Sequence, residues 1–499
     1  MTPVLPRRGT RPSPTVVLLG LGVLTVGLFW ACFYRPFALH TYYLVPLLSL
    51  FKLTTRQPAS WYAFLVGVAA LNLAYLAGFR TLARTSHPIR WWIVLAFPAV
   101  ALLLLVFTYP VGAADIFDYL VRGHLRAAYG ANPYWQVPAQ FRDDALVYYA
   151  AWRTFPSAYG PLWELVATPL ARWAGGDLWR GILIFKAHAV VSLLLTTAAV
   201  AGLAWQTSRD RSTVQLAVYA VLWNPLLLFE TAANGHHDLW LALGILAATF
   251  FALRRQYGLA LVALTLVTLF KFVTLLLVPI FILAAVRTLG WRRGLRQIVA
   301  GAAVSLVLVW LCYAPFWPMT DPLRLAQRAG LYTTSLPAVV RFVLPFWVEP
   351  STAMTLAAIL AFGLLALITL ASILFTWLDP QVRPWHTARN LLVAALLVAT
   401  AWYQAWYVAW ILPLAAWQPR SRALRGVMLL SVLAWFKYLL FDLTYGLDWQ
   451  AAPRWQREVA AFAIIMLFPI LWYGVRHRPW ARLRRWQRPE YWRSHDLGG

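Results

Sequence analysis

The chain has 499 residues, of which 61% are hydrophobic and only 12% are charged. Soluble globular proteins carry about 25% charged residues, so this composition excludes that class and indicates a membrane protein. Unpaired backbone groups are costly in hydrocarbon, and the apolar runs lack the alternation of barrel strands, so the sequence predicts an all-α, polytopic transmembrane bundle. Such runs recur along the whole chain, at 15–33, 61–78, 91–109, 190–205, 304–313 and 355–377.

The net charge of +26 would favour a nucleic-acid partner in a soluble protein. Here the arginines gather in short loops between apolar runs and in the tail RHRPWARLRRWQR, which is the positive-inside pattern. We therefore expect the lipid bilayer as a partner and no nucleic acid. Cys32 and Cys312 lie in apolar runs and match no metal or redox spacing. The run 15–33 lacks a small-residue cleavage site, which predicts an uncleaved anchor.

The basic clusters also predict the path of the chain. If they are cytoplasmic, each segment between two clusters crosses the membrane an even number of times, which gives about 11 to 14 helices with both termini in the cytoplasm. The runs 258–286 and 390–418 have basic clusters at both ends, so each must be a hairpin, turning near Lys271 and at WYQAWY. Residues 1–499 then form one integral membrane domain with a basic cytoplasmic tail at 476–499. The predicted outer stretches are 36–58, 110–177, TAANGHHD, 318–350 and 442–458.

This parity places a set of polar and aromatic residues at the outer ends of helices or in outer loops. Loops that are distant in sequence would then supply one site on the non-cytoplasmic face. The residues are Asp115, Asp118, Asn132, Tyr134, Tyr159, His236, His237, Asp238, Lys271, Arg328, Tyr332, Trp402, Tyr403 and Trp406.

Two acids open the stretch DIFDYLVRGHLRAAYGANPY. Asp115 and Asp118 are three residues apart, so both carboxylates can share one face of a helix just outside the membrane. Low dielectric and a like-charged neighbour raise a carboxyl pKa toward neutrality, so such a group can act as a general base. The alternative is a solvated cap, because acids favour a first helical turn. The cost of ionisable groups at membrane depth favours the functional interpretation.

The stretch NGHHD supplies candidate groups for an anion. His236, His237 and Asp238 open a helix at the outer interface, where imidazoles and N-terminal amides can bind an anionic group. We expect these residues near the phosphate or the sugar of a donor.

Lys271 interrupts a continuous apolar run. A lysine at the centre of a span costs about 2.5 to 3.5 kcal/mol, so a partner is expected, and an anionic lipid head group is the natural one. A snorkelling lysine is the alternative. Arg328 and Tyr332 in LRLAQRAGLYTTS could add a second cation, although loop arginines usually contact solvent.

Two proline-fixed turns, GANPYW and AYGPLWE, and the stretch AWYQAWYVAW carry the aromatic candidates. Their rings could stack on sugar faces or on an isoprenoid and position a substrate. An ordinary interfacial aromatic belt would have the same composition. The substrate-positioning candidates are Asn132, Tyr134, Tyr159, Trp402, Tyr403 and Trp406.

Several motifs of soluble enzymes are absent from the sequence. It has no Gly-rich phosphate loop, no G-x-G-x-x-G after a strand, no Cys/His metal spacing and no G-x-S-x-G elbow. An enzyme that faces outward has no nucleotide supply. An activated substrate would therefore arrive on a lipid.

The ordered motifs DIFDYLVRGHLRAAYGANPY, AYGPLWE, NGHHD, KFVTLLLVP and WYQAWY resemble those of bacterial polyprenol-phosphate-mannose-dependent α-mannosyltransferases. That family includes the mycobacterial α-1,6-mannosyltransferases of lipomannan synthesis and belongs to the GT-C superfamily. The early loop Asp, the Asn-Pro-Tyr and the Tyr-x-Pro-Leu are also similar to the eukaryotic GPI mannosyltransferase I. The resemblance spans residues 110–415.

The resemblance implies a GT-C bundle whose long first outer loop, residues 110–180, is catalytic and carries short amphipathic helices. It implies an inverting transfer of a sugar, mannose in this family, from a polyprenyl-phosphate donor to a hydroxyl of a glycolipid or glycan. Asp115 would be the base, with Asp118 as the second acid; it could orient the acceptor, bind a divalent ion, or do neither. His236, His237 and Asp238 match a Gly-His-x-Asp element near the donor, and Lys271 would contact the phosphate.

Other functions stay open at this point. A lipid-linked-sugar flippase or transporter would share the basic-inside bundle, but it should place charges near the bilayer midplane. A GT-C enzyme could use another hexose or a pentose, and a scaffold would need no aligned acid. No cofactor is certain, and a Mg²⁺ or Mn²⁺ ion at Asp115 and Asp118 remains an option. Either acid could take the proton.

Overall fold

A computed structural model describes residues 13–85, 87–317, 330–379, 381–441 and 452–471. In these ranges the chain is helical, and its strand-type pairings are two isolated bridges, Ala38 with Thr108 and Thr333 with Trp402. The predicted all-helical bundle is confirmed. Arg328 and the tail 476–499 lie outside the described residues.

The described ranges contain α-helices joined by 3-10 and π turns. The 3-10 turns are Pro138–Gln140, Ala145–Tyr149, Phe272–Leu277, Ala314–Phe316, Leu344–Phe346 and Ala405–Tyr407, and the π turns are Trp30–Tyr34, Phe229–Ala233, Ala395–Ala399 and Phe462–Leu467. The α-helices are α1 (Pro14–Phe29), α2 (Leu39–Tyr42), α3 (Leu50–Arg56), α4 (Pro58–Arg84), α5 (Trp91–Val106), α6 (Asp115–Tyr129), α7 (Pro161–Ala174), α8 (Leu178–Ser208), α9 (Arg211–Leu222), α10 (Pro225–Leu228), α11 (Leu239–Leu253), α12 (Tyr257–Thr268), α13 (Val278–Leu289), α14 (Trp291–Tyr313), α15 (Leu336–Val343), α16 (Pro350–Leu378), α17 (Pro384–Ala394), α18 (Val408–Ala416), α19 (Arg422–Leu433), α20 (Phe436–Phe441) and α21 (Arg454–Ala461).

Seven helical segments of the described chain are long and apolar enough to cross a membrane, and an eighth span results if one bent pair is counted. The chain is therefore a multi-pass membrane protein. The pair Arg211–Leu222 and Pro225–Ala233 bends by 52° at Pro225, which cannot continue the hydrogen bonding of α9. Several other apolar helices have 10–17 residues, too short to span alone. The count of 11 to 14 spans stays a prediction. The seven segments are Pro14–Tyr34, Ala59–Arg84, Leu178–Ser208, Phe272–Leu289, Trp291–Phe316, Pro350–Leu378 and Arg422–Phe441.

Both hairpins that parity required are present. The Tyr257 hydroxyl at the start of α12 lies 3.0 Å from the Thr288 hydroxyl at the end of α13, so the chain returns to its starting level. His386 Nε2 in α17 lies 3.0 Å from Gln418 Oε1, just after α18. The two hairpins are confirmed, and their tips carry Lys271 and the WYQAWY segment.

The arginine-rich loops meet at one end of the bundle. Arg420 donates to the carbonyl oxygen of Ala83 at 3.3 Å, and Gln297 donates to that of Arg255 at 3.1 Å. At the opposite end, Tyr149 of the long loop donates to Leu44 O at 3.3 Å. The clustering agrees with the predicted parity. Which end faces the cytoplasm stays a prediction.

The long loop after α5 folds into two short helices, as predicted. Asp115 begins α6, because a negative charge is stabilised at the N-terminal end of a helix dipole. The helix α6 ends at Gly130, whose φ of 67° is accessible to glycine without strain. Pro161 begins α7 in the first-turn position that suits proline. Because α6 and α7 pack on each other, the loop is a rigid unit that can hold a site.

A buried lysine fixes the point where this loop begins. Lys186 of α8 donates to the carbonyl oxygens of Val106 at 3.1 Å, of Leu105 at 3.4 Å and of Thr108. These carbonyls lie at and just after the end of α5, where the carbonyls of the last turn lack partners from a following turn of the helix. A cation at a helix C-terminus also complements the dipole, so Lys186 has a structural role.

Candidate active site

Four elements meet at the end of the bundle opposite the arginine loops. They are the first turn of α6, the turn between residues 233 and 239, the tip of the α12–α13 hairpin and the tip of the α17–α18 hairpin. A contact network joins them: His236 approaches Asp115, Lys271 binds Asp238, and Trp406 stacks on His236. Segments distant in the sequence are thus brought together, and their use as one substrate site stays a prediction.

Asp115 is the accessible acid of the pair. Its side chain is 18% exposed, its Oδ2 lies 3.8 Å from His236 Nε2, and its Oδ1 accepts a hydrogen bond from Trp152 Nε1 at 3.4 Å. Burial raises the pKa of Asp115, but His236, Trp152 and Lys271 together lower that pKa below its ordinary value. The expected upward shift is wrong for Asp115, because cationic groups surround it. The carboxylate is ionised at neutral pH and can accept a proton.

Asp118 is buried and anchors a loop. Its two oxygens accept backbone hydrogen bonds from Trp152 at 3.0 Å and Ala151 at 3.2 Å, while Arg122 donates to the carbonyl oxygens of Trp152 and Phe155. Burial raises the pKa of Asp118 to about 7, opposed by Arg122 and reinforced by Asp115. The expected upward shift thus occurs at Asp118, whose oxygens already face the loop.

The acid pair does not fit a divalent cation. The described residues contain no group of three His, Cys, Asp or Glu side chains placed to hold a metal ion. Both oxygens of Asp118 face backbone amides, and Asp115 faces an imidazole and an indole. A Mg²⁺ or Mn²⁺ ion at Asp115 and Asp118 stays an untested option.

His236 lies between two carboxylates. Its Nδ1 is 3.0 Å from Glu230 Oε2, and its ring stacks on Trp406 with centroids 4.0 Å apart and an interplanar angle of 19°. Burial lowers the pKa of His236, but Asp115 and Glu230 raise it further, to about 9. The ring is an imidazolium at neutral pH.

His237 lies in an aromatic box, although it is the next residue. Its ring stacks on Trp163 with centroids 3.8 Å apart and also contacts Tyr119 and Phe270. Burial, then the charge of Lys271, lowers the pKa of His237 well below its ordinary value. Neither of its ring nitrogens has a hydrogen-bond partner in the part of the chain that the structure describes. A neutral, enclosed ring does not support the predicted contact with a donor phosphate.

Lys271 finds its partner inside the protein. Its Nζ lies 2.7 Å from Asp238 Oδ1, which also accepts a hydrogen bond from Trp410 Nε1 at 2.6 Å. The ammonium lies 4.8 Å from the Trp410 ring centre and 5.0 Å from that of Tyr407. The hairpin brings Lys271 next to Asp238, the residue just before α11, and the predicted contact with an anionic lipid head group stays a prediction. The Lys271 side chain remains 18% exposed, so a ligand can still reach it.

The proline-fixed turns position the loop around this centre. The Tyr134 hydroxyl donates to Tyr159 O at 3.1 Å, and the Tyr159 hydroxyl lies 3.0 Å from that of Tyr119. Asn132 donates to Phe316 O at 2.7 Å, which ties the loop to the end of α14. Asn132 and Tyr134 thus stabilise the loop through backbone carbonyls. The Tyr159 ring centre, in contrast, lies 5.8 Å from Lys271 Nζ.

The WYQAWY tip is held by backbone pairing. Thr333 donates to Ala401 O at 3.0 Å and accepts from the Tyr403 amide at 3.1 Å. Tyr403 is fully buried, and Tyr332 packs with Ala338 in a separate small core. Trp402, Trp406 and Tyr407 are the partly exposed residues of the tip, and a contact of Trp402 and Trp406 with a substrate stays a prediction.

Replacing Gly160 with alanine tests the contact between the long loop and the lysine hairpin. The Gly160 amide donates to Phe270 O at 3.0 Å, and a Cβ at this position would lie 2.1 Å from Leu269 O. We expect Gly160→Ala to lower the free energy of unfolding by about 1–3 kcal/mol, because backbone must move. Thermal unfolding in detergent measures it. The matched control is Gly202→Ala in α8, where a Cβ meets nothing within 4 Å. Equal stability of the two variants would contradict the prediction.

The sequence model of the MptA_B family, described as the N-terminal domain of alpha-(1->6)-mannopyranosyltransferase, matches residues 16–287. This range is more than half of the chain. The chain belongs to this family. The predicted resemblance is confirmed, and the protein is a glycosyltransferase of an α-mannosyltransferase family. No curated protein matches the chain in sequence.

In this mannosyltransferase family member, the matched range contains the centre from Asp115 to Lys271 and excludes the WYQAWY tip. Glu230, which the structure places against His236, is not among the residues that the sequence predicted for the site. The sequence did carry a signal, because Glu230 is a single acidic residue in the apolar stretch NPLLLFETAA. Lys271 was predicted from the same kind of pattern, a single charged residue in an apolar run.

Proposed function

We propose that this mannosyltransferase moves mannose, with inversion, from a polyprenyl-phosphate donor to a hydroxyl of a glycolipid or glycan acceptor. The reaction takes place on the outer face of the cytoplasmic membrane, with both chain termini in the cytoplasm. Asp115 is the general base. The observation that carries this proposal is an ionised, partly exposed carboxylate at the first turn of α6, beside the cation of Lys271 and the tip indoles.

The chemistry follows from these groups. The acceptor hydroxyl gives its proton to Asp115 while its oxygen attacks the anomeric carbon. The bond from that carbon to the phosphate oxygen breaks, and the electron pair leaves with the lipid phosphate. Positive charge develops on the sugar and negative charge on the leaving group, so a fixed cation lowers the barrier. Lys271 is our candidate for that cation, because its side chain is partly exposed.

The ion pairs support an enzyme over a flippase. Asp115, His236, Asp238 and Lys271 gather at one end of the bundle, where loops meet. A transporter would place its charged groups near the middle of its spans. The short hairpin of α12 and α13 suits a cavity that opens to one side.

The test is a transfer reaction with purified protein. Radiolabelled polyprenyl-phosphate-mannose and a candidate glycolipid acceptor are supplied in detergent, with GDP-mannose as the matched donor control. We expect labelled product from the lipid donor alone, and loss of that product with Asp115→Asn. Transfer from GDP-mannose, or no transfer from any lipid-phosphate sugar, would overturn the proposal.

A further inference from the structure

Glu230 is a buried carboxylate in a mostly apolar turn. It is 1% exposed and lies in the π turn Phe229–Ala233. Its Oε2 accepts from Asn234 Nδ2 at 2.8 Å and lies 3.0 Å from His236 Nδ1, and its Oε1 accepts from the Tyr438 hydroxyl. Burying a carboxylate is costly unless its oxygens are satisfied. These partners satisfy it and fix its position.

His236 connects this carboxylate to Asp115. The ring presents Nδ1 to Glu230 and Nε2 to Asp115 Oδ2, at 3.0 Å and 3.8 Å. Nε2 has no hydrogen-bond partner among the described residues, and the stacked Trp406 prevents the ring from turning. One imidazole therefore bridges two carboxylates, of which only Asp115 is accessible.

We propose that Glu230 and His236 are positioning residues for the base: Glu230 holds the His236 ring with Nε2–H toward Asp115, and the imidazolium keeps Asp115 ionised and oriented to the acceptor hydroxyl. This inference rests on the proposed function. It assigns His236 to the positioning of Asp115, in place of the predicted contact with the donor. A carboxylate that sets the orientation of an imidazole is a known device for acid–base groups.

The proton balance is simple. The acceptor O–H bond breaks and its proton goes to Asp115, while the acceptor oxygen forms the bond to the anomeric carbon. His236 keeps its own proton throughout. Asp115 then releases the acquired proton to water after the product leaves. Each turnover thus returns all three groups to their starting charge.

The arrangement predicts a pH profile with two limbs. Asp115 must be ionised, so the rate falls as pH drops through its lowered pKa, below the ordinary aspartate range. The imidazolium is lost as pH rises through the His236 pKa of about 9, so the rate falls there as well. The charged or titratable groups that face this centre, from the elements packed on it, are Asp115, Asp118, Tyr119, Glu230, His237, Asp238, Lys271, Tyr403 and Tyr438.

The first test is Glu230→Gln, which keeps the size of the side chain and removes its charge. We expect kcat to fall at least about 10-fold while KM for the lipid donor is unchanged. The basic limb should move down by about one pH unit or more, because His236 loses a charged partner. The acid limb should move little, because His236 is protonated in that pH range with or without the charge of Glu230. The matched control is Glu458→Gln, another fully buried glutamate, which accepts from the Thr334 amide at 2.6 Å. This control should leave both limbs in place.

A second measurement needs no turnover. In protein labelled with ¹⁵N-histidine, the His236 resonance, assigned with His236→Gln, should titrate near pH 9 and at lower pH in Glu230→Gln. If Glu230→Gln does not fold, His236→Gln decides: a lower kcat with unchanged donor KM supports the inference. A raised donor KM with unchanged kcat and unchanged pH limbs would overturn it.

The outcomes separate this inference from the proposed function. If Asp115→Asn transfers mannose as well as the wild type, the proposed base is wrong. If Asp115→Asn is inactive but the basic limb and the His236 titration are the same in Glu230→Gln as in the wild type, only the positioning role of Glu230 is wrong.

Discussion

Asparagine in place of Asp115 is expected to lower kcat for mannosyl transfer by about 10²- to 10⁴-fold, the usual effect of removing a general base. The amide keeps the shape of the side chain and can still accept from Trp152 Nε1, but it cannot take a proton from the acceptor. Donor binding should change little, since Asp115 is assigned to the acceptor. Initial rates with labelled polyprenyl-phosphate-mannose, together with donor KM, measure both quantities.

Asp118→Asn is the matched control for this prediction. Asparagine offers only one oxygen to the Ala151 and Trp152 amides, so the loop that Asp118 anchors should loosen and the variant should unfold at lower temperature. Asp115→Asn should keep the wild-type unfolding temperature. An Asp118 variant that is fully stable yet inactive, beside an active Asp115 variant, would transfer the role of base to Asp118.

Removing the charge of Lys271 is expected to have the largest effect on stability. Lys271→Met leaves Asp238, whose side chain is 2% exposed, with Trp410 Nε1 as its remaining donor among the contacts described above. Breaking a buried pair by removing one partner costs about 3–5 kcal/mol, because an uncompensated charge stays buried. Thermal unfolding in detergent, with donor KM in parallel, measures this change.

The double variant Lys271→Met with Asp238→Asn completes the cycle. It should recover much of the lost stability, because no unpaired charge remains, while donor KM stays raised if Lys271 also contacts the phosphate. Lys52→Met is the control lysine, since Lys52 is exposed and donates to Leu47 O at 3.2 Å. Additive losses in the double variant would show that the two residues act independently.

The architecture could be predicted because membrane physics constrains it strongly. Backbone groups in hydrocarbon must be satisfied within helices, and arginine-rich loops stay on one side, so the pattern of charges predicted both hairpins. The bonds between Tyr257 and Thr288 and between His386 and Gln418 confirm them. The same argument brought Asp115, His236 and Lys271 to one end of the bundle before any contact was known.

The properties of individual groups could not be predicted in this way. Asp115 and Asp118 are equivalent in sequence terms, yet their pKa values shift in opposite directions. His236 and His237 are adjacent, yet one is an imidazolium between carboxylates and the other a neutral ring in an aromatic box. Burial and the nearest charge set these states, and both depend on how the chain folds, as where Asp115 meets His236 and His237 lies near Lys271.

Sequence alone therefore determined an all-helical membrane protein of the mannosyltransferase type, its two hairpins and the collection of its polar residues at one end. Those features depend on composition, on the positions of arginines and on short ordered motifs. Only the tertiary structure decided that Lys271 is paired with Asp238 and that Glu230 lies behind His236. Contacts of 3 Å depend on how helices from distant parts of the chain pack, and no local pattern specifies that packing.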